Sequence, residues 1–191
     1  MSSQLKQFVF RGLLGKHAIN DMQTTGVLHR PEVTQIDRQQ GDLFVSVQES
    51  IRNASQQMQS AYRLLFILEN IVRDLISSRF SEPDGPDWFD KRATTPMKTK
   101  VEQRKQQEEK NQWHAGRNKD SIFYLDFGDL SRLITSNWTI FEDLLPSQSW
   151  VQSRLDEAER SRNVIAHTNI LMSEEVARLE MYLRDWIKQI G

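Results

Sequence analysis

One apolar seam dominates the first half of the sequence. Ten residues recur at alternating steps of three and four between positions 42 and 79: Phe44, Val47, Ile51, Ala54, Met58, Ala61, Leu65, Leu68, Val72 and Leu75. This spacing puts them on one face of a helix and predicts a single helix over about residues 42–79. SEPDGPDW (81–88), with two prolines and a glycine, should end it. Such a helix forms either the spine of a bundle or half of a dimer contact.

The second half of the chain predicts further helices and no strand. IFYLDFGDLSRLI (122–134) and NWTIFEDLL (137–145) are interpreted as two short helices, and residues 147–168 as a longer one. Ser173 is expected to cap the last helix. The apolar stripe of that helix consists of Val176, Leu179, Leu183, Trp186, Ile187 and Ile190. We therefore expect an all-α fold, an up-and-down bundle of about five or six helices.

The chain divides by composition into two parts. Residues 1–44 hold a short amphipathic helix, followed by a polar, extended connection that contains Gly26, Pro31 and Gly41. Residues 45–191 carry the apolar periodicity of a helical domain, with a basic insertion at about 90–120. A chain of 191 residues, 38% of them hydrophobic, can bury one substantial core.

Composition limits the classes of protein that fit. The formal net charge is −1, so any binding of nucleic acid depends on a local basic patch. The sequence has no cysteine, which excludes disulfides and thiolate metal sites, and its four histidines are scattered. No segment is apolar enough to span a bilayer. We expect a soluble, cytoplasmic protein without a membrane segment, a metal or another cofactor.

The basic segment, residues 98–119, has seven lysines and arginines against three glutamates. One interpretation is a solvated helix or mobile loop, which is common for such composition. The other is a surface that contacts the phosphate backbone of a nucleic acid, with aromatic rings available for stacking. The candidate contacts are Lys98, Lys100, Arg104, Lys105, Trp113, His114 and Arg117.

The stretch ERSRNVIAHTN (159–169) mixes charged, amide and imidazole side chains at the end of a predicted helix. Arg162 continues the apolar stripe of Val151, Leu155 and Ala158, where a charge is costly unless it is paired or faces a polar cavity or an interface. Asn163 and His167 lie one turn apart on a neighbouring face, and Arg160 aligns with His167. Spacing alone leaves open an ordinary charged helix end, where the helix dipole favours histidine.

RNVIAH (162–167), with four residues between its arginine and its histidine, resembles the R-x4–6-H motif of HEPN domains. LLFILENIVRDLI (64–76), LDFGDLSRLI (125–134), NWTIF (137–141) and the closing SEEVARLEMYLRDWIKQIG (173–191) resemble the HEPN branch that has an LFxLEN helix. The resemblance covers about residues 45–191. It implies a helical bundle that dimerises and places two copies of the motif across a shared cleft.

Specific residues match the HEPN motifs. Arg162, Asn163 and His167 match the R-x4–6-H motif, and Arg160 satisfies its looser spacing. Glu69 and Arg73 match charged positions of the LFxLEN helix. Since Glu69 and Arg73 are one turn apart, they form either an internal salt bridge or a supporting phosphate site, in which Glu69 orients Arg162 or Arg73 binds the phosphate.

The resemblance implies a metal-independent endoribonuclease of the toxin or phage-defence type. Its substrate would be RNA, possibly tRNA, cleaved through the 2′-hydroxyl at a site shared by a homodimer. An antitoxin or a defence-system protein is a possible partner. The alternative is a catalytically inactive HEPN module that serves dimerisation and the binding of nucleotide, nucleic acid or a partner protein.

Overall fold

The structure is a computed structural model that describes residues 43–191. In this range the chain forms six α-helices: α1 (Glu49–Asp84), α2 (Trp88–Arg92), α3 (Thr95–Glu109), α4 (Phe127–Ser136), α5 (Gln148–Ala166) and α6 (Ser173–Ile190). Three short 3₁₀ helices, Gly85–Asp87, Ser121–Tyr124 and Trp138–Ile140, separate some of them, and residues 43–191 contain no strand. The prediction of an all-α bundle is confirmed. Residues 1–42, with the predicted N-terminal helix and extended connection, lie outside the described residues.

The long helix α1 is confirmed, with shifted ends. It begins at Glu49 instead of near residue 42, and Ile51 in its first turn is exposed, so the start of the apolar seam does not reach the core. The buried stripe runs through Ala61, Leu65, Leu68, Val72, Ile76 and Phe80, further than the predicted seam. The helix ends as predicted within SEPDGPDW, where Gly85 adopts a φ of +72° that glycine accommodates without strain.

The core lies between α1 and the three helices α4, α5 and α6. α4 packs most extensively against α5, and α1 contacts all three. The largest fully buried side chains are Trp186, Phe80, Phe127 and Phe141. On α6 the predicted stripe buries Leu179, Leu183 and Trp186, but Ile187 is 49% exposed. Including Ile187 in the stripe was wrong because it is turned about 100° from Trp186, which occupies the core position.

The segments on either side of α4 are less helical than predicted. Within IFYLDFGDLSRLI the first residues form a 3₁₀ helix, and α4 starts only at Phe127, after a capping box made by Asp126 and Asp129. NWTIFEDLL forms only the 3₁₀ helix Trp138–Ile140 followed by turns. This departure has a physical cause, since Arg79 of α1 donates to the carbonyl oxygen of Ile140 at 2.9 Å and satisfies a group that a helix would have bonded internally.

The predicted starts of the last two helices are nearly correct. Ser147 caps α5, accepting a hydrogen bond from the backbone N–H of Trp150 at 3.1 Å. α6 begins at Ser173, but its N-cap is Met172, so the cap was misplaced by one residue. The Glu175 carboxylate accepts the Met172 N–H at 2.8 Å, which satisfies the backbone at the helix start without a serine cap.

The basic helix α3 is packed on one side. Met97 and Val101 are buried, and Arg104 donates two hydrogen bonds to Asp126, at 3.1 and 3.0 Å. Lys100 forms ion pairs with both Asp126 and Asp129. α3 is thus a solvated helix over most of its surface, with Lys100, Val101 and Arg104 on the side that packs against the domain. In the part of the chain described here, no helix is both long and apolar enough to cross a membrane.

Candidate functional site

The last turn of α5 carries the residues of the mixed stretch. His167 is the C-cap of the helix. The backbone N–H of Thr168 donates to the carbonyl oxygen of Ile165 at 2.9 Å, and that of Asn169 to the carbonyl oxygen of Val164 at 3.1 Å. These two bonds are those of a Schellman motif, which satisfies carbonyl groups left free at a helix end. The sequence therefore terminates α5 directly after the motif histidine.

Arg162, Asn163 and His167 are all exposed, and so is Arg160. Val151, Leu155 and Ala158 are buried, but Arg162, which follows them on the same face of the helix, lies beyond the edge of the core. Arg162 donates a hydrogen bond from Nη1 to Oδ1 of Asn163 at 3.1 Å, which joins two of the three motif side chains. We refer to Arg162, Asn163 and His167 as the motif site. Arg162 is thus exposed to solvent, so the expected cost of a charge on the apolar stripe does not arise.

Glu69 and Arg73 of α1 form the expected internal salt bridge. Arg73 Nη2 lies 2.6 Å from Glu69 Oε1, and the two side chains are only 21% and 11% exposed for Glu69 and Arg73. Arg73 also donates to the carbonyl oxygen of Leu125 at 3.2 Å and lies 5.2 Å from the centre of the Phe123 ring. These contacts fix the guanidinium from three sides.

The motif site and the Glu69–Arg73 pair share one electrostatic environment. Burial raises the pKa of the Glu69 carboxyl, while the charges of Arg73 and Arg162 act to lower it. Burial likewise lowers the pKa of Arg73, and the charge of Arg162 adds to that decrease. The charge of Arg162 on α5 therefore acts on both charged residues of α1.

Residues before α4 belong to the same cluster and were missed as site residues from the sequence. Asp126 acts on the pKa of both Glu69 and Arg73, raising each of them. Phe123 and the Leu125 carbonyl contact Arg73 directly. The only sequence signal was the segment LDFGDL, whose acidic residues could have indicated a partner for a cation of α1.

The candidate RNA contacts of the basic segment do not all lie together. Lys100 and Arg104 are engaged by Asp126, as described above. Lys105 donates to Ser121 Oγ at 3.0 Å, and Lys98 to the carbonyl oxygen of Asp90. These side chains therefore already have partners within the domain.

Residues 110–119, after α3, form an exposed loop. Trp113 is 84% exposed, and the centre of its ring lies 5.5 Å from the centre of the His114 ring, with the two rings nearly perpendicular. An open cavity of about 510 Å³ is lined by Glu108, Asn111, Trp113, His114, Gly116 and Arg117. Arg117 pairs with Glu108, and its charge also acts to lower the pKa of Arg73. Of the basic segment, Arg117 is thus the side chain that the structure couples to the Glu69–Arg73 pair.

Four exposed apolar side chains lie on α1 and in the connection that follows the motif site. Tyr62 and Phe66 are 59% and 56% exposed, and their ring centres are 6.2 Å apart. The spacing of residues 62, 66, 69 and 73 puts both rings on the face of α1 that carries the Glu69–Arg73 pair. Ile170 and Met172, in the connection after His167, are also mostly exposed. We refer to Tyr62, Phe66, Ile170 and Met172 as the apolar patch.

Within residues 43–191, no three histidine, aspartate or glutamate side chains converge as a metal site requires. The chemistry available at the motif site is that of a guanidinium, an amide and an imidazole. Such a set can bind a phosphate by charge and hydrogen bonds and can transfer a proton near neutral pH.

The model of the family described as Swt1-like HEPN matches residues 63–191, which is more than half of the chain. No curated protein and no solved structure matches significantly. The matched residues include the Glu69–Arg73 pair, α4 and the whole motif site.

Proposed function

Because the chain belongs to the Swt1-like HEPN family, we propose that it is an endoribonuclease that needs no metal ion. The observation that carries this proposal is the exposure of Arg162, Asn163 and His167 together at the end of α5, beside the Glu69–Arg73 pair. An RNA phosphate is the ligand that suits their chemistry.

The reaction uses the nucleophile that RNA itself contains. A neutral His167 accepts the proton of a 2′-hydroxyl as its oxygen attacks the adjacent phosphorus, and the bond from phosphorus to the 5′-oxygen breaks. A protonated histidine gives its proton to the leaving 5′-oxygen. The products are a 2′,3′-cyclic phosphate and a 5′-hydroxyl. The step consumes no water, and in this proposal it needs no metal ion. Arg162 stabilises the negative charge that grows on the phosphate oxygens.

A homodimer supplies the second histidine. Arg162 and His167 are separated by roughly 140° around a regular helix, so two copies of α5 complete one site more readily than one copy does. The apolar patch supports this arrangement, since contiguous exposed apolar side chains commonly mark association surfaces. Ile170 and Met172 of the patch closely follow His167 in the chain, so association through the patch would bring the two motif sites close together.

Other residues support the phosphate site in this proposal. Glu69 orients Arg162 through its charge, and Arg73 keeps Glu69 ionised. Asn163 holds the Arg162 guanidinium by their hydrogen bond. Trp113, His114 and Arg117 would contact the RNA outside the cleaved bond, since bases stack on exposed aromatic rings. Lys98, Lys100, Arg104 and Lys105 are weaker candidates because they already have partners.

We extend the proposal to the setting in which the enzyme acts. An RNA-cleaving protein harms its own cell unless it is controlled, which fits a toxin or phage-defence role with an antitoxin or a defence-system partner. tRNA is the first substrate to test. Expression of the protein should slow host growth, and His167→Ala should relieve the effect, while His29→Ala, at a histidine outside the family match over residues 63–191, serves as the matched histidine control.

One observation favours a second candidate function. Among residues 43–191 the His167 imidazole has no hydrogen-bond partner, whereas a general base is usually oriented by a third group. A catalytically inactive module that dimerises through the apolar patch and binds nucleotide, nucleic acid or a partner protein would need no such group.

The two functions are distinguished by incubating purified protein with tRNA and total RNA in EDTA. The proposal predicts cleavage by the wild type and by His29→Ala, and at least a hundredfold slower cleavage by His167→Ala. Binding of RNA without cleavage by any of the three proteins would establish the inactive module instead.

A further inference from the structure

The connection from α5 to α6 starts with a residue in an uncommon backbone conformation. Thr168 directly follows His167 and has a φ of +56°, the only positive φ of a non-glycine residue in the described part of the chain. This position after a helix end usually holds glycine or asparagine, because a β-branched side chain clashes with the backbone there. A residue keeps such a conformation only when its surroundings hold it in place.

The surroundings of Thr168 do hold it. Its hydroxyl donates to the carbonyl oxygen of His167 at 2.7 Å, and the amide of Asn169 donates to the same oxygen at 3.2 Å. Further along, Leu171 is fully buried. Gln57 of α1 donates to the Leu171 carbonyl oxygen at 3.0 Å, which ties the connection to α1. The chain is thus fixed on both sides of the strained residue.

We propose that Thr168 is a positioning residue that sets the direction in which the end of α5 presents the His167 imidazole; this inference rests on the proposed function of His167. His167 has a backbone φ of −94° and ψ of 18°, so the chain leaves the helical geometry at this residue, although its N–H still bonds to the carbonyl oxygen of Asn163. The imidazole has no side-chain partner among residues 43–191, and the backbone at residues 167 and 168 sets the direction of the Cα–Cβ bond from which the ring extends. Glycine at position 168 would remove the strain and also the restriction.

The test compares Thr168→Gly with Thr168→Ser. We expect Thr168→Gly to keep or raise the melting temperature by a few degrees, because the strain is relieved. Its kcat for RNA cleavage should nevertheless fall at least about tenfold at an unchanged KM, since small misplacements of a reacting group are costly. Thr168→Ser retains the hydroxyl bond to His167 and should keep at least about half of the wild-type kcat. A kcat of Thr168→Gly within twofold of the wild type overturns the inference.

A second measurement does not depend on activity. Protein labelled in its histidines gives ring NMR signals, and the His167 signal is assigned by its loss in His167→Ala. We expect a sharp, distinct His167 signal in the wild type and in Thr168→Ser, and a broadened signal, or one shifted toward that of free histidine, in Thr168→Gly. Identical His167 signals in all three proteins contradict the inference. Absence of His167-dependent cleavage by the wild type refutes the proposed function, and the NMR comparison then still decides whether Thr168 fixes the imidazole.

Discussion

The positive charge of Arg162 on α5 opposes the burial that raises the pKa of Glu69 on α1. This relationship joins the motif site to the long helix, although the two residues are far apart in the sequence. We therefore treat Glu69 as the carboxylate that orients Arg162.

The first prediction concerns Glu69. Glu69→Gln keeps the size of the side chain but leaves the half-buried Arg73 without its carboxylate, so we expect a loss of about 1–3 kcal/mol in the free energy of unfolding. The kcat for RNA should fall by more than the loss of folded protein explains. Urea unfolding and steady-state cleavage measure the two effects. Glu82→Gln, on the exposed side of the same helix, is the control. Equal stability and kcat in both variants would refute this role for Glu69.

The second prediction separates the two arginines. Arg162→Ala should lower kcat by about a hundredfold or more, the effect expected when one group that stabilises transition-state charge is removed. Arg160→Ala should stay within about threefold of the wild type. Both side chains are exposed, so each variant should unfold within about 0.5 kcal/mol of the wild type. The reverse order of activities would assign the function to Arg160.

The third prediction tests the homodimer. Phe66→Arg puts a charge into the apolar patch and should shift the protein toward monomer, with cleavage falling in parallel. Met181→Arg changes a similarly exposed apolar residue of α6 outside the patch and should leave the mass of the assembly in solution equal to that of the wild type. Sedimentation analysis at several protein concentrations measures the association. Dimers of equal stability in the two variants would exclude the patch as the interface.

The fourth prediction concerns acid stability. Burial alone would raise the pKa of Asp126, but hydrogen bonds from Arg104 and Lys100, and their charges, outweigh it and lower this pKa from 3.8 to about 2. The folded state therefore holds this proton less readily than the unfolded state. Asp126 contributes roughly 2 kcal/mol of stability above pH 4, and this contribution is lost as the pH falls from about 4 to 2.

Urea unfolding at pH 7 and at lower pH checks this contribution. Asp126→Asn should be less stable than the wild type at pH 7, and the difference should shrink below pH 4. Asp156→Asn, which replaces an exposed carboxylate of α5, should follow the wild type at each pH. A difference between Asp126→Asn and the wild type that stays constant down to pH 3 would contradict the ion-pair explanation.

The sequence predicted features that depend on local periodicity. Spacing predicted the apolar stripe from Ala61 to Val72 on α1, and it predicted a helix at the motif residues. The structure contains both, and His167 is the C-cap of that helix. The exposure of Arg162 could not be predicted from spacing. Spacing tells which face of a helix a residue lies on, but not at which residue that face stops contacting the core.

Contacts between segments that are distant in the sequence could not be predicted from the sequence alone. Lys100 forms an ion pair with Asp129, and Arg79 donates a hydrogen bond to the carbonyl oxygen of Ile140. No periodic pattern in the sequence predicts either pair. These pairs hold one side of the basic α3 against the domain and keep residues 138–140 from extending into an α-helix. The strain at Thr168 was equally invisible, since threonine gives no sequence signal of a left-handed residue.

The ends that the purified protein leaves on RNA in EDTA test the central claim most directly. We expect 2′,3′-cyclic phosphate and 5′-hydroxyl ends, produced by the wild type and by His29→Ala and nearly absent with His167→Ala. Cleavage that leaves 3′-hydroxyl and 5′-phosphate ends, or the predicted ends in equal amounts with His167→Ala, would contradict it.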